Sequence, residues 1–281
     1  MSVSYVEPDT IDEACVALAA DPWGAKVISG GTALVLMMRQ GLIAPSLLVS
    51  LARVPGLAEI EMTPEGLQVG GMVSLTRVAA SPEVKDAAPS LATACGLVGN
   101  VRVRNVATLG GNLAEADYAS DPPSVLASLD ALCTVAGPAG TRSIPVIDLI
   151  TGFYSTSLQA GEIITGVTIP LLSGATSYFK YISRSSEDRP CVGVATAAEF
   201  DGTEVRALRV VVGAVAATPQ RFDDIASRAI GTGLGPSVIE EIADSYANAV
   251  DPLEDVRGSS WYRRRMVKVF VRRGLEAVAP R

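Results

Sequence analysis

The chain contains no histidine in 281 residues. That absence excludes Ser-His-Asp and Cys-His nucleophile systems, histidine general bases and histidine metal ligands. Cysteine is scarce, and Cys15, Cys95, Cys133 and Cys191 each stand alone. No pair has the close spacing that holds an iron–sulfur cluster or a zinc ion. Isolated thiols of this kind usually serve as small apolar core residues. Any redox chemistry on this chain therefore calls for a bound organic cofactor. Long apolar runs are missing too. The longest, Leu47 to Leu51 and Val210 to Ala217, fall well short of the ~20 residues a membrane span needs. Met1 to Asp12 has no basic region followed by an apolar stretch, so no secretory signal is read there and a cytoplasmic location is expected. Charged residues make up only 19%, and a net charge of -7 gives nucleic acid no general electrostatic attraction.

What is present suits a folded core. Hydrophobic residues reach 48%, which argues against disorder, and the length fits two domains or one large one. Thr10-Ile-Asp-Glu13 predicts a capping box opening a helix through Ala20, ended by Asp21-Pro-Trp-Gly24. Ala25 to Ser29 and Leu47 to Leu51 read as buried strands, with a helical turn at Leu34 to Arg39 between them. From Glu59 the pattern changes. Glu59 to Met62 and Leu67 to Gly70 flank a turn at Thr63-Pro-Glu-Gly66. Ser74 to Ala80, Pro89 to Leu97 and Pro122 to Leu129 read as helices. Ala131 to Ala136 and Thr141 to Pro145 form a hairpin, and Glu162 to Ile169 is a strand closed by Pro170. Leu171-Leu-Ser-Gly174 is the candidate linker. Beyond it Thr176 to Ile182, Val192 to Phe200 and Val205 to Val212 read as strands, with Asp201-Gly202 a hairpin signal. Helices follow from near Arg221, Ser237 and Ser259. Strands followed by helices indicate an α+β unit separate from the first.

Two glycine segments carry the chemistry. In Val27-Ile-Ser-Gly-Gly-Thr-Ala-Leu34 a strand delivers the backbone to paired glycines, which turn sharply and approach a ligand closely. Successive amides there can cradle an anion, with the Thr32 hydroxyl beside them. Neither the Walker spacing nor G-x-G-x-x-G is present, and a tight strand-to-helix turn explains the segment equally well. Thr108-Leu-Gly-Gly-Asn112 repeats the glycine pair, and Ser120 and Asp121 follow within a short stretch. These residues suit a ligand bearing hydroxyls and amides. Ser120 or Asp121 could instead cap the helix that begins at Pro122.

In this order and separation the segments resemble the FAD-binding subunits of the xanthine dehydrogenase and carbon monoxide dehydrogenase family, the molybdenum hydroxylases. Arg104-Asn-Val-Ala-Thr-Leu-Gly-Gly-Asn112 and Ala116-Asp-Tyr-Ala-Ser-Asp-Pro-Pro123 match that family's pattern, except that Tyr118 stands where a proline is usual. The resemblance continues through Glu162-Ile-Ile-Thr-Gly-Val-Thr-Ile-Pro170, Phe179-Lys-Tyr-Ile-Ser-Arg-Ser-Ser-Glu-Asp188 and Tyr262-Arg-Arg-Arg to the final helix.

The resemblance implies a two-subdomain α+β FAD-binding domain of the PCMH type over residues 1–172, with subdomains of about 1–55 and 56–172. A smaller α+β domain over 173–281 would follow, with a three-stranded antiparallel sheet and a helical bundle. Val27, Ile28, Ser29, Gly30, Gly31, Thr32, Ala33 and Leu34 would wrap the FAD diphosphate. Thr108, Gly111 and Asn112 would bind from the other side. Ser120 and Asp121 would hold polar atoms of the adenosine or ribityl part. Ile163 or Ile164 would pack on a ring, and Lys180 would lie near the isoalloxazine. Tyr178 and Tyr181 are further ring-cover candidates. No residue of the chain is expected to act as a catalytic acid, base or metal ligand. Expected partners are a small subunit with [2Fe–2S] clusters and a large molybdopterin subunit, as a dimer of heterotrimers, with NAD, a quinone or O2 as acceptor. The basic stretch Arg263, Arg264, Arg265 and Lys268 is a candidate docking surface, or else an exposed helix face. A free-standing FAD oxidase or reductase, and a non-catalytic binding module, are the alternatives.

Overall fold

The computed structural model describes residues 3–183, 185 and 187–280. Residues 3–50 build a small parallel sheet. Its strands are β1 (Ser4–Val6), β2 (Ala25–Ile28) and β3 (Leu47–Ser50), in the order β1-β3-β2, so that Val49 sits between Val6 and Val27. Helix α1 (Ile11–Ala20) starts as its sequence predicts. Thr10 Oγ1 accepts from the Glu13 amide at 3.2 Å, and the Glu13 carboxylate reaches back to the Asp9 amide at 3.0 Å. Ala14 and Cys15 of this helix pack with Val49, Leu51, Val54 and Leu57, and with Ala136 and Ile163 of the next unit. That shared cluster joins the two units. Helix α2 (Leu34–Arg39) is apolar in sequence, yet none of its residues is buried.

The second unit is a five-stranded antiparallel sheet with helices on one face. Its strands are β4 (Ile60–Thr63), β5 (Gly66–Gly70), β6 (Leu132–Gly137), β7 (Gly140–Pro145) and β10 (Ile163–Ile169), ordered β4-β5-β10-β6-β7. The hairpin β8 (Ile150–Gly152) and β9 (Ser155–Thr156) lies between β7 and β10 in the chain. Period-two alternation places Leu67, Val69, Cys133, Val135, Val167 and Ile169 in one core. Against it lie α3 (Leu75–Ala80), α4 (Pro82–Ala87), α5 (Pro89–Gly96), α6 (Val101–Val106), α7 (Leu109–Glu115), α8 (Pro122–Ser128) and α9 (Val146–Leu149). The sequence reading found α3, α5 and α8 but passed over α4, α6, α7 and α9. These have four to seven residues, no longer than α3 and α8, and at that length a 3.6-residue period does not decide between helix and loop.

After Pro170 the chain enters a four-stranded antiparallel sheet: β11 (Gly174–Tyr181), β12 (Val192–Asp201), β13 (Glu204–Gly213) and β14 (Gln220–Arg221). The expected three strands gain β14, two residues paired to Val211 and Val212, too brief to signal itself. Gly202, at φ +59°, makes the β12–β13 turn. Helices α10 (Asp223–Ala226), α11 (Pro236–Ala249) and α12 (Ser260–Val278) complete the fold. Strand β12 is buried from Val192 to Ala198 because both its faces are covered. Val192, Val194 and Ala198 join the α11–α12 core, whereas Ala195 and Ala197 join the core of the second unit. Gly274 lets α12 sit flat on β12, since a Cβ there would lie 2.5 Å from Thr196 Oγ1. Among the described residues no helix is long and apolar enough to cross a membrane.

The basic stretch of α12 is mostly engaged within the chain. Arg263 is fully buried, donating to the carbonyls of Ala214 at 2.6 Å and Cys191 and to Asp255. Arg264 donates to the Ala247 carbonyl at 3.0 Å, and Lys268 pairs with Glu240 and Asp244. A docking surface centred on Arg263 is therefore ruled out. Its charge was visible in the sequence, but its burial was not.

Candidate functional site

The site lies where the first two units meet. Strand β2 ends at Ile28, and the chain turns through Ser29, Gly30, Gly31, Thr32 and Ala33 into α2. Gly31 takes φ +67°, a left-handed conformation that glycine adopts without penalty. The amides of Gly30, Gly31, Thr32 and Ala33 donate to no acceptor among the described residues. Successive amides left open in this way form a concave donor surface suited to an anionic group. Gly30 is glycine for a second reason. A Cβ there would lie 1.9 Å from the Val106 carbonyl oxygen, so the turn is pressed against the end of α6.

The second glycine segment lies in a helix. Leu109 to Glu115 is helix α7, and Thr108 is its N-cap, accepting from the Gly111 amide at 3.1 Å. Gly110 donates to the Gly71 carbonyl at 2.9 Å, and Asn112 to the Thr108 carbonyl at 2.9 Å. These amides are committed within the fold, so the segment offers a bare backbone surface and no open backbone donors. The hydroxyls of Thr108 and Ser29 bond at 3.0 Å and join the two segments. A crevice of about 60 Å³ runs between them, lined by Val27, Ser29, Gly110, Gly111, Ile163 and Ile164 together with Leu51, Met72 and Leu158. Pockets for drug-sized ligands are several-fold larger, so this crevice could take only part of a dinucleotide. Gly71, directly after β5, lines it too, a wall residue that the sequence reading did not single out.

Ser120 and Asp121 face different ways. Ser120 donates to the Asn112 Oδ1 at 2.8 Å, which ties this stretch to α7. Asp121 occupies the N-cap position of α8, yet its carboxylate makes no cap bond. It turns instead to β11, accepting from the Tyr178 hydroxyl at 2.5 Å and from Lys180 Nζ at 2.9 Å. Both charged side chains are only 3% exposed. Lys180 also donates to the Leu97 carbonyl at 2.8 Å. Burial, ahead of the lysine's charge, pushes the Asp121 carboxyl up from its ordinary value. Burial also lifts the Tyr178 hydroxyl well above its own, so it stays a donor. Tyr178 is thus a partner of Asp121, a role its sequence position did not reveal. Tyr181 faces α12, where its hydroxyl bonds that of Tyr262 at 2.5 Å.

The segment between α7 and α8 is pinned to connecting segments of the C-terminal unit at further points. Asp117 pairs with Arg189 at 2.5 Å. The Tyr118 hydroxyl donates to Asp255 at 2.8 Å and accepts from Arg257 at 2.8 Å. The tyrosine that departs from the family's usual proline is therefore an anchor. Arg184 and Ser186, in the segment after Lys180, lie outside the described residues.

Comparison with known proteins places this architecture. Residues 1–172 match the family described as FAD binding domain in molybdopterin dehydrogenase, and residues 177–278 match CO dehydrogenase flavoprotein C-terminal domain. The class is therefore an FAD-binding flavoprotein of oxidoreductases. The chain is 33% identical over 272 residues to the nicotine 6-hydroxylase medium subunit of Paenarthrobacter nicotinovorans, covering 97% of this chain and 95% of that one. It is 29% identical over 276 residues to the glyceraldehyde dehydrogenase medium chain of Sulfolobus acidocaldarius, covering 98% of each. Among solved structures, quinoline 2-oxidoreductase from Pseudomonas putida 86 matches with a TM-score of 0.93 at 31% identity, covering 99% of this chain and 97% of that one. Carbon monoxide dehydrogenase from Hydrogenophaga pseudoflava matches at 0.95 and 28% identity with the same coverage. The chain belongs to the FAD-binding subunits of the molybdopterin dehydrogenases, the molybdenum hydroxylase family.

Proposed function

We propose that this chain is the electron-outlet subunit of a heteromeric dehydrogenase. In this reading a small subunit with [2Fe–2S] clusters and a large molybdopterin subunit complete the enzyme as a dimer of heterotrimers in the cytoplasm. Substrate is oxidised on the large subunit, and this chain hands the electrons to NAD, a quinone or O2. Residues 1–172 form the FAD-binding domain, divided near residue 55, and residues 173–281 form the second domain. The observation that carries the reading is the run of open amides from Gly30 to Ala33, directly after Ser29, which with Gly110 and Gly111 lines a mostly apolar crevice.

These features fit FAD. A diphosphate needs several donors at once, and the Gly30–Ala33 turn has them with the Thr32 hydroxyl alongside. Val27, Ile28 and Leu34 flank the turn, and Ile163 and Ile164 supply an apolar wall for a ring. Thr108, Gly111, Asn112 and Ser120 shape the opposite side, and Asp121 with Lys180 forms a charged pair at the isoalloxazine end. When bound, FAD would supply the redox capacity that the side chains lack. The chain's own residues bind, orient and exclude water.

The test is direct. The purified chain is precipitated with acid and the supernatant assayed for flavin. FAD near one per chain is expected, whereas FMN or no flavin refutes the reading. The subunit role is tested by co-expression with neighbouring reading frames. Substrate turnover should require the partners, and rapid substrate-specific turnover by the isolated chain would favour a free-standing flavoenzyme.

A further inference from the structure

We propose that Tyr178 is a positioning residue for the flavin, acting through Asp121 on Lys180. The proposal rests on the reading above, in which Lys180 lies at the isoalloxazine. Tyr178 and Lys180 stand two residues apart on β11, so they share one face of the strand. Both reach Asp121 across the junction between the second unit and the C-terminal sheet. The hydroxyl takes Oδ1 at 2.5 Å and the ammonium takes Oδ2 at 2.9 Å.

This division of the carboxylate matters because the ammonium has three donors. One goes to Asp121 and one to the Leu97 carbonyl. The third meets no acceptor among the described residues. A buried cation with a spare N–H is poised to meet electron density on a ligand. Tyr178 keeps it so by satisfying the other carboxylate oxygen, which would otherwise draw the ammonium further toward Asp121. The tyrosine's place is itself prepared. It pairs with Ala195 on β12, and a Cβ on neighbouring Gly193 would come 2.7 Å from the tyrosine oxygen. Only glycine leaves the hydroxyl room to reach Asp121.

The experiment uses the full chain loaded with FAD and measures flavin content, visible spectrum and midpoint potential. Tyr178→Phe removes the donor to Asp121 Oδ1, so the carboxylate draws the Lys180 ammonium closer and less of its charge remains for the flavin. The reduced flavin, which gains electron density, is then less favoured. The expected result is retained FAD with about a tenfold shift toward the oxidised form at fixed potential, a fall of about 30 mV for a two-electron couple. Gly193→Ala displaces the same hydroxyl by another route and should lower the potential in the same direction. In an Asp121→Asn background the Tyr178→Phe change should have no further effect, because the tyrosine acts through that carboxylate. Full FAD occupancy with unchanged spectrum and potential in Tyr178→Phe overturns the positioning role and leaves the FAD reading intact. A wild-type chain that binds no FAD overturns the FAD reading itself.

Discussion

Gly30-Gly31 and Gly110-Gly111 are the same dipeptide in two segments joined by the Thr108–Ser29 hydrogen bond, and their backbones are used in opposite ways. At the first pair a strand has just ended and the next helix has not begun, so the amides from Gly30 to Ala33 stay open. At the second, Thr108 caps a helix, and the amides of Gly110, Gly111 and Asn112 are satisfied within the fold. The first pair therefore contributes donors, and the second contributes space. A glycine pair by itself states only that side chains are unwelcome. What precedes it, a strand end or a capping threonine, decides whether its N–H groups remain for a ligand.

Substitutions can break this contrast, and the largest effect belongs to Gly30. Its missing Cβ would lie 1.9 Å from a backbone carbonyl that cannot rotate away, so Gly30→Ala should cost about 3 kcal/mol or more as the turn shifts. Thermal melts should show it, with flavin content falling as well. Gly111→Ala should cost less. Its Cβ would meet the hydroxyls of Ser29 at 2.7 Å and Thr108 at 2.8 Å, which can turn aside, giving about 1–2 kcal/mol. This penalty should appear in the melt of the FAD-free chain too, since the clash is with protein. Equal melting of wild type and variant without FAD would contradict that. Thr108→Ala should cost about 1 kcal/mol through the lost cap of α7, and its melt should fall by less than that of Gly30→Ala. If Thr108→Ala empties the flavin site while the melt stays unchanged, the second segment binds the cofactor through polar groups and the contrast fails.

The smallest effect is a pH slope at Asp121, which follows the second segment. Burial holds its carboxyl above the ordinary 3.8, ahead of the pull of Lys180. Folding then favours the protonated acid. The residue's contribution to stability is greatest below the unfolded value and declines as pH rises through the folded one. The stability of wild type relative to Asp121→Asn should therefore drop with rising pH above 3.8 in denaturant titrations. A rise over the same range would mean that the Lys180 charge outweighs burial.

Much of the fold was legible in the sequence because its signals are local. Thr10 and Glu13 announced α1, Gly202 announced the β12–β13 turn, and the turn at Thr63-Pro-Glu-Gly66 and the closing Pro170 announced strands of the five-stranded sheet. In short helices such as α4, α6 and α7 a 3.6-residue period does not decide between helix and loop, and a two-residue strand such as β14 left no period to read. The candidate site was legible as a set of residues, since Val27 to Leu34 and Thr108 to Asn112 stand out by their glycines. Their division of labour was not, because hydrogen-bond commitments are made between distant segments.

The sequence by itself determined which residues are small, polar or apolar, where strands stop at glycine, and that no histidine could serve as a base. Only the tertiary structure decided where charge ends up. Arg263, one of a run of three arginines, became a fully buried strut on Asp255 and two carbonyls. Asp121 turned from its own helix to meet Tyr178 and Lys180 across a domain junction. The reason is energetic: a charge removed from water must find its partners wherever the packed chain places them, at any distance along the sequence.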